Sequence, residues 1–163
     1  DLFPRRRLLS EDLGAHLSLD PSTPEAMGRL AAALQAGGPC PGADLSYEIS
    51  GNPAALDQAI ASTGFSGRVV IGSWYGLKRS ELNLGGRFHR SRMRLISSQV
   101  SSINPELSGR WDKTRLYHLT WQMLAQVQPA RFITQRLPLS QAAQAYELLD
   151  NHPEEVIQVI LTY

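Results

Sequence analysis

Cysteine is nearly absent from this sequence, and long apolar runs are missing altogether. The single cysteine, Cys40, excludes an intrachain disulfide and a multi-thiolate zinc site within these 163 residues. No apolar run approaches the roughly 18–20 residues that a membrane-spanning helix needs, and no signal peptide is visible. These features favour a protein of the reducing cytoplasm with no membrane partner.

Net charge is also small. The sequence carries 16 basic and 15 acidic residues, a net charge of +1, which gives no electrostatic reason to expect a nucleic-acid or membrane partner. The segment 87–94 concentrates four arginines in eight residues around His89. Guanidinium groups suit phosphate, but without alternating aromatics or a wider basic face such a segment does not indicate nucleic acid. We therefore expect a solvated basic segment, with His89 at the surface or hydrogen-bonded rather than a ligand or base.

Helical and strand patterns alternate along the middle of the sequence. Thr23-Pro24-Glu25 supplies the hydroxyl cap, the first-turn proline and the acid that begin a helix, and Gly37-Gly38 ends it. The following segments continue the alternation, with strands predicted at 43–50, 68–73 and 94–99 and helices at 54–62 and 111–126. Strands separated by helices indicate βαβ units and a parallel sheet.

Two of these helices carry apolar residues at helical spacing, which predicts one buried face on each. In the first helix the face is Met27, Leu30 and Leu34, and in the helix 111–126 it is Leu116, Leu119, Met123 and Leu124.

The last part of the sequence, 133–163, has the pattern strand, helix, strand, in the segments ITQRLPL, SQAAQAYELLDNHPEE and VIQVILTY. It resembles the closing segment of medium-chain, zinc-type alcohol dehydrogenases. The residues that match are Leu137-Pro138-Leu139, Ala142, Ala145-Tyr146, Leu149 and Val159-Ile160-Leu161.

The opening of the sequence resembles a stretch in the middle of the same family's dinucleotide domain. The match covers residues 1–7, Leu13-Gly14-Ala15 and Leu19-Asp20. In Rossmann units an acid at the end of the second strand binds the adenosine ribose, about twenty residues after a Gly-rich turn. The resemblance gives that role to Asp1, with Arg6 at the same ribose. Neither a G-x-G-x-x-G nor an initiator methionine occurs, so we expect the C-terminal portion of a longer enzyme.

The resemblance implies an α/β fold: a partial Rossmann unit, doubly wound with a mainly parallel sheet, and C-terminal strands that return to a missing catalytic domain. Residues 1–128 would belong to the NAD(P)-binding Rossmann domain. Residues 129–163 would close the catalytic, GroES-like domain.

Two turns after predicted strands are candidates for cofactor contact. Ser50 and Gly51 lie at the carboxyl end of the first strand, where the family has (D/E)-x-(S/T)-G beside the adenine and ribose. From the residues alone, Gly51 is equally well explained as a strand end that needs a positive φ. Ile71, Gly72 and Ser73 lie at the carboxyl end of the second strand and match the family's G-x-(V/I)-V-x-x-G, which approaches the nicotinamide.

The residues around these turns extend the candidate site. Trp74 and Tyr75 would wall the nicotinamide or substrate pocket, although for Trp74 a plug over the strand end explains the pattern as well. The third strand belongs to a stretch similar to the family's F-H-x-x-R-x-x-L-x-x-S-Q, which places Ser97 and Ser98 near the nicotinamide.

The resemblance further implies a nicotinamide-dependent oxidoreductase that transfers hydride between the cofactor and a small alcohol or carbonyl. Zinc ligands and the proton relay would lie outside this chain, so neither catalytic nor metal-binding residues are predicted here, and the chain alone should be nearly inactive. Two alternatives stay open: a zinc-free quinone or enoyl reductase of the same fold, and a non-catalytic nucleotide-binding or interaction module.

The sequence also gives expectations for the choice between NAD and NADP and for the oligomeric state. The carboxylate of Asp1 would repel a 2′-phosphate, which favours NAD over NADP. Arg5 and Arg7 are expected to face solvent, where screening weakens their attraction for that phosphate. By family analogy the strand 94–99 lies at the sheet edge and pairs two subunits into a homodimer.

Overall fold

The computed structural model describes residues 1–35 and 41–163. Two compact units make up the chain: a sheet unit, residues 23–102, and a terminal unit, residues 1–22 with 103–163. The predicted boundary at residue 128 concerns functional domains rather than compact units, and it stays a prediction. Cys40 and the predicted helix end at Gly37-Gly38 lie outside the described residues. Within those residues, no helix is long and apolar enough to cross a membrane.

Both units contain helices and strands. The helices are α1 (Pro4–Asp12), α2 (Ala26–Gln35), α3 (Pro53–Ser62), α4 (Lys113–Val127) and α5 (Ala142–Asn151). The strands are β1 (Ala43–Glu48), β2 (Thr63–Ile71), β3 (Arg94–Ser97), β4 (Ile133–Pro138) and β5 (Gln158–Thr162).

The sheet unit contains a parallel sheet in the order β1-β2-β3. This arrangement confirms the predicted α/β class and places β3 at a sheet edge. Strand β2 begins at Thr63 and not near Arg68, because Thr63 pairs with Ala43 of β1. The register then shifts, so that Leu45 pairs with Arg68, and Ser66 takes a left-handed conformation with φ 57°. A bulge of this kind lengthens the strand beyond its continuous apolar run.

Helix α3 covers one face of this sheet and supplies half of its core. Asn52 caps the helix by accepting a hydrogen bond from the Ala54 amide at 3.1 Å, and Pro53 occupies the first turn. The buried cluster consists of Leu56, Ile60, Val69 and Met93. Because Leu56 and Ile60 are four residues apart, they share one side of the helix and pack onto the central strand.

Helix α2 has the stripe that the sequence predicts. Met27, Leu30 and Leu34 are half-buried, and Ala26 is buried. The helix begins at Ala26, slightly later than the predicted start at Thr23.

The terminal unit contains a second, two-stranded parallel sheet of β4 and β5, with α5 between them in sequence. This confirms the predicted order of strand, helix and strand. Ala145 of α5 and Val156 are buried. Arg6 of α1 joins this region by donating to the carbonyls of Pro153 at 3.1 Å and Val156 at 3.2 Å.

Helix α4 differs from expectation in its burial. Asp112 caps it by accepting from the Arg115 amide at 2.7 Å. Leu116 and Leu124 are half-buried, but the predicted burial of Leu119 and Met123 is wrong, since these side chains are 37% and 42% exposed. At 100° per residue, Leu119 and Met123 lie on the opposite side of Leu116 from Leu124, and only the flank towards Leu124 is covered.

Candidate functional site

The carboxyl ends of β1, β2 and β3 meet at one edge of the parallel sheet. The carbonyl of Glu48 accepts hydrogen bonds from the amides of Gly72 at 2.9 Å and Ser73 at 3.2 Å, and the Ser98 amide donates to the Ile71 carbonyl at 2.8 Å. Open α/β sheets bind ligands at this edge. The structure therefore brings together seven of the predicted site residues, Ser50, Gly51, Ile71, Gly72, Ser73, Ser97 and Ser98.

Glycine has a different role in each of the first two turns. Gly51 adopts φ +73°, and a Cβ built there meets no atom within 4 Å. Its conformation requires glycine, and the space in front of it is open. At Gly72 a Cβ would lie 3.0 Å from Cγ2 of Ile49. The second glycine thus allows the two turns to approach each other closely.

Glu48 is the buried acid of the site, and it holds the two turns together. Its side chain is only 3% exposed. The carboxylate accepts from the Ser50 amide at 2.8 Å, from the Ser50 hydroxyl at 2.5 Å and from the Tyr75 hydroxyl. Because Ser50 follows β1 and Tyr75 follows β2, a single carboxylate connects both turns. We call this group of Glu48, Ser50 and Tyr75 the carboxylate clasp.

The hydrogen bonds of the clasp determine its protonation. Burial alone would raise the pKa of Glu48, but the hydrogen bonds from Ser50 and Tyr75, together with the nearby Ser73 hydroxyl, outweigh burial and lower the pKa to about 2. Burial, with the hydrogen bond to Glu48 and the charge of that carboxylate, raises the pKa of Tyr75 to about 12. At neutral pH the clasp therefore consists of a carboxylate and a neutral phenol.

Two further contacts reinforce the turn after β1. The Gly51 amide donates to the Ser73 hydroxyl oxygen at 2.9 Å. The Lys78 ammonium donates to the Gly51 carbonyl at 3.1 Å. The backbone N–H and the carbonyl of Gly51 are thus both hydrogen-bonded to residues that follow β2, and this fixes the orientation of the turn.

The two aromatic residues of the turn after β2, Trp74 and Tyr75, differ in exposure. Trp74 is 91% exposed, and the aliphatic Ile49 in the neighbouring turn is 77% exposed. Trp74 is therefore not the solvent plug that one interpretation of the sequence proposed, and it stays a candidate for the pocket wall. Tyr75 is half-buried with its hydroxyl on Glu48. Glu48 occupies the acidic position of the family's (D/E)-x-(S/T)-G, but that pattern did not predict that its carboxylate would be buried and bonded to both turns. The signal in the sequence was an acid two residues before a serine that could donate to it.

Asp1 and Arg6 belong to the terminal unit. The Asp1 carboxylate accepts from the Phe3 amide at 2.9 Å. The Arg6 guanidinium lies 4.8 Å from the centre of the Phe3 ring, and its buried Nε has no hydrogen-bond partner among the described residues. Their predicted contact with a ribose stays a prediction.

The neighbouring arginines differ from each other. Arg7 was expected to face solvent, but it is half-buried, pairs with Asp20 at 3.3 Å and donates to the carbonyls of Asp1 and Leu2. Arg5 is exposed, as expected, and it donates to the Glu155 carbonyl at 2.7 Å. The chain's own groups therefore engage Arg7, whereas Arg5 remains exposed to solvent.

One arginine of the basic segment 87–94, Arg87, is hydrogen-bonded to the backbone. Arg87 donates from Nε to the Thr63 carbonyl at 2.8 Å and from its guanidinium to the Pro41 carbonyl at 2.9 Å. Arg87 is exposed, as expected, and its hydrogen bonds also hold backbone near the starts of β1 and β2. His89 is exposed, in agreement with the expected surface position.

One group of residues in the terminal unit has the chemistry of metal ligands. His152, Glu154 and Glu155 are exposed, and their ligand atoms lie within 4.8 Å of one another. No metal-binding residues were predicted from the sequence, so this proximity was missed. The group contains no thiolate and is open to solvent, which differs from the usual enclosed tetrahedral zinc site.

The sequence and the fold were compared with those of known proteins. No protein-family model matches the sequence. The sequence is 30% identical over 149 residues to the uncharacterized zinc-type alcohol dehydrogenase-like protein YphC of Escherichia coli, covering 91% of this chain and 38% of that relative. This chain therefore spans well under half of the relative's length.

Solved structures show the same fold. A short chain alcohol dehydrogenase of Escherichia coli, solved in complex with NADH, matches with a TM-score of 0.74 and 18% identity over 100% of this chain and 43% of its own. A 2R,3R-butanediol dehydrogenase of Bacillus subtilis matches with a TM-score of 0.69 and 20% identity, over 100% of this chain and 42% of its own. Both confirm the Rossmann-like α/β fold that the sequence predicts.

Proposed function

We propose that this chain, which belongs to the zinc-type alcohol dehydrogenase-like group of the medium-chain dehydrogenase/reductase family, contributes the nicotinamide-cofactor site of an oxidoreductase. The enzyme would transfer hydride between the cofactor and a small alcohol or carbonyl. The observation that carries this proposal is the meeting of three strand ends at one sheet edge, with an open, left-handed Gly51 in the first turn.

The described residues suit a dinucleotide. In the sheet unit, Ser50 and Gly51 would border the adenosine half, and Ile71, Gly72 and Ser73 would approach the nicotinamide with Ser97 and Ser98. Open space at Gly51 lets a ligand reach the backbone without a side chain in the way. When bound, the cofactor supplies the hydride chemistry, and these residues orient it.

NAD is the cofactor that we favour. Asp1 and Arg6 would meet the adenosine ribose, where a carboxylate disfavours a 2′-phosphate. The Arg7 guanidinium pairs with Asp20 and Arg5 donates to a backbone carbonyl. Arg7 is thus engaged by the chain's own groups, and solvent screens the exposed charge of Arg5, so we expect neither to offset the repulsion that Asp1 would exert on NADP.

Zinc and the catalytic groups are proposed to lie outside this chain. The exposed group at His152 has neither the thiolates nor the enclosure of a zinc-dehydrogenase site, so no catalytic step is assigned to it. We expect the chain alone to bind the cofactor with little or no turnover. A cytoplasmic location stays a prediction from the single cysteine.

A homodimer is proposed through the edge of the sheet. Strand β3 lies at that edge, and its unpaired backbone groups suit pairing with the same strand of a second subunit. Arg94 is an edge charge that would oppose such pairing, so light scattering at micromolar concentration decides between dimer and monomer.

Direct binding tests the cofactor proposal. NADH and NADPH are titrated into the chain by isothermal calorimetry, with Gly72→Val and Gly85→Val as matched variants. A Cβ at Gly72 would lie 3.0 Å from Cγ2 of Ile49 and 3.8 Å from the Glu48 carbonyl oxygen, and one at Gly85 meets nothing within 4 Å. The exposed Ile49 side chain can shift, so we expect both variants to fold. We expect saturable NADH binding that Gly72→Val weakens and Gly85→Val leaves unchanged. Absence of saturable binding of either dinucleotide to the unaltered chain contradicts the proposal.

A further inference from the structure

The Glu48 carboxylate is buried without a cation among the hydrogen-bond partners that the structure gives it. Its three donors are the Ser50 amide, the Ser50 hydroxyl and the Tyr75 hydroxyl, all uncharged. Burying a carboxylate is unfavourable unless hydrogen bonds replace its hydration. A neutral side chain would fill the end of β1 more easily, so the acid calls for an explanation in terms of what its bonds hold together.

Those bonds hold two turns that are distant in sequence. Glu48 contacts Ser50 two residues later and Tyr75 twenty-seven residues later. The Gly51 amide, which belongs to the first turn, donates in the same way to Ser73 of the second. The two turns are thus joined by side chains as well as by the strand pairing beneath them.

Two serine hydroxyls of the site, those of Ser50 and Ser73, are already used within the protein. The Ser50 hydroxyl donates to Glu48 and accepts from the Asn52 amide at 3.1 Å. The Ser73 hydroxyl oxygen accepts from the Gly51 amide and lies 3.4 Å from the Glu48 carbonyl. These two hydroxyls therefore shape the turns, and the side chains that these turns leave exposed to a ligand include Ile49 and Trp74.

We propose that Glu48 is a positioning residue, which acts through Tyr75 and Ser50 to hold the turn 49–52 and the turn 72–76 in the one arrangement that receives both halves of a dinucleotide. This inference rests on the proposed function. In it, Ser50 and Ser73 take part in cofactor binding through their backbone and through the shape of the turns, and Tyr75 fixes the loop instead of forming a pocket wall.

The arrangement has a non-local consequence. The turn after β1 would meet the adenosine half of the cofactor, but one of its supports, Tyr75, lies in the turn after β2. Loss of the Tyr75 hydroxyl should therefore weaken binding of AMP, which has no nicotinamide. A tyrosine that merely touched the nicotinamide would affect NADH and leave AMP unchanged.

The experiment compares Tyr75→Phe with Tyr47→Phe. Tyr47 is the matched control, because it precedes Glu48 on β1 and is 66% exposed. Dissociation constants for NADH and AMP are measured by nuclear magnetic resonance titration, well below the unfolding temperature of each variant. Amide hydrogen exchange at Ser50, Gly51 and the central-strand Val69 is recorded on the same samples.

We expect Tyr75→Phe to weaken both NADH and AMP binding by roughly five- to tenfold, since a hydrogen bond to a charged group is removed. Exchange at Ser50 and Gly51 should accelerate by a similar factor, while exchange at Val69 and all values for Tyr47→Phe stay at the level of the unaltered chain. Glu48→Ala should weaken binding more than Glu48→Gln, which keeps one acceptor oxygen for Ser50.

The outcomes separate the two proposals. If the unaltered chain binds neither NADH nor AMP, the cofactor site and the positioning role are both overturned. If it binds them and Tyr75→Phe weakens only NADH, or changes neither ligand, the positioning role alone is overturned. Should the Glu48 variants fail to fold, the Tyr75→Phe comparison still decides.

Discussion

The Tyr75 hydroxyl donates to the carboxylate of Glu48, 27 positions earlier in the chain. Glu48 is the last residue of β1 and Tyr75 follows the neighbouring strand β2, so their hydrogen bond links the ends of two strands that are distant in sequence. A bond of this type favours the ionised acid and the neutral phenol. It therefore makes the stability of the sheet unit sensitive to pH at both extremes.

Acid should destabilise the sheet unit through Glu48. The folded pKa of this group is lowered from 4.5 to about 2, so its contribution is present above pH 4.5 and is lost as the pH falls towards 2. The free energy of unfolding in urea, measured at several pH values, should decline over this window. Glu48→Gln should remove that part of the decline; an unchanged acid profile in the variant contradicts the assignment.

Alkali should act through Tyr75. Its pKa is raised from 10.0 to about 12, so the folded state holds the phenolic proton more tightly than the unfolded state. Stability contributed by this proton is complete below pH 10 and is lost as the pH rises towards 12. Tyr75→Phe should flatten the alkaline decline of the unfolding free energy relative to Tyr47→Phe, and parallel declines in the two variants would refute the role of Tyr75.

The same substitution should have opposite effects at two glycines of the sheet unit. Gly51 has φ +73°, whereas Gly28 lies within α2, and a Cβ meets nothing within 4 Å at either position. Gly51→Ala should destabilise by about 1–2 kcal/mol because of the left-handed conformation, and Gly28→Ala should stabilise by about 0.5–1 kcal/mol because helical glycine is entropically costly. Denaturant unfolding measures both, and equal signs would contradict the described backbone.

Core packing predicts a large difference between two aliphatic residues. Ile60 is 2% exposed in the cluster beneath α3, and Leu77 is 99% exposed. Ile60→Ala should destabilise by about 2–5 kcal/mol, since a cavity forms, whereas Leu77→Ala should change stability by no more than about 0.5 kcal/mol. Chemical denaturation of the two variants checks this, and a small effect at Ile60 would place it outside the core.

Asp1 should control cofactor choice if the proposed function is correct. Asp1→Ala removes both a ribose acceptor and the charge that repels a 2′-phosphate. We expect the ratio of NADPH to NADH affinity to rise by about tenfold or more, because hydrogen bonds to charged groups contribute about 1.5–3 kcal/mol each. Asp12→Ala, an exposed acid at the end of α1, is the matched control. An unchanged ratio would show that Asp1 does not discriminate.

Periodicity and caps were enough to predict the order of helices and parallel strands. Thr23-Pro24-Glu25 predicted a helix start, and α2 begins directly after it at Ala26, since such signals act locally. The start of β2 at Thr63 was not predictable from the apolar run near Arg68, because pairing with Ala43 across a bulge decides it. Tertiary pairing here overrides local pattern.

The sequence predicted which residues lie at the candidate site but not the side-chain hydrogen bonds between its turns. Ser50, Gly51, Gly72 and Ser73 were identified by resemblance and by their place after strands, and the structure brings them together. No sequence signal indicated that Tyr75 would reach Glu48, because their separation of 27 positions is closed only by the sheet. The exposure of Leu119 likewise depends on which flank of α4 is covered, which helical periodicity cannot specify.

The hydrogen bonds of Arg5 and Arg6 have a consequence for the order in which the chain acquires structure during synthesis. These arginines donate to carbonyls 147–150 positions later, at Pro153, Glu155 and Val156, whereas the sheet unit is one continuous segment, residues 23–102. At translation rates of about 5–20 residues per second, the arginines wait roughly 8–30 s for their acceptors. The sheet unit can therefore fold on the ribosome first, while Arg5 and Arg6 stay without these acceptors until residues 153–156 emerge.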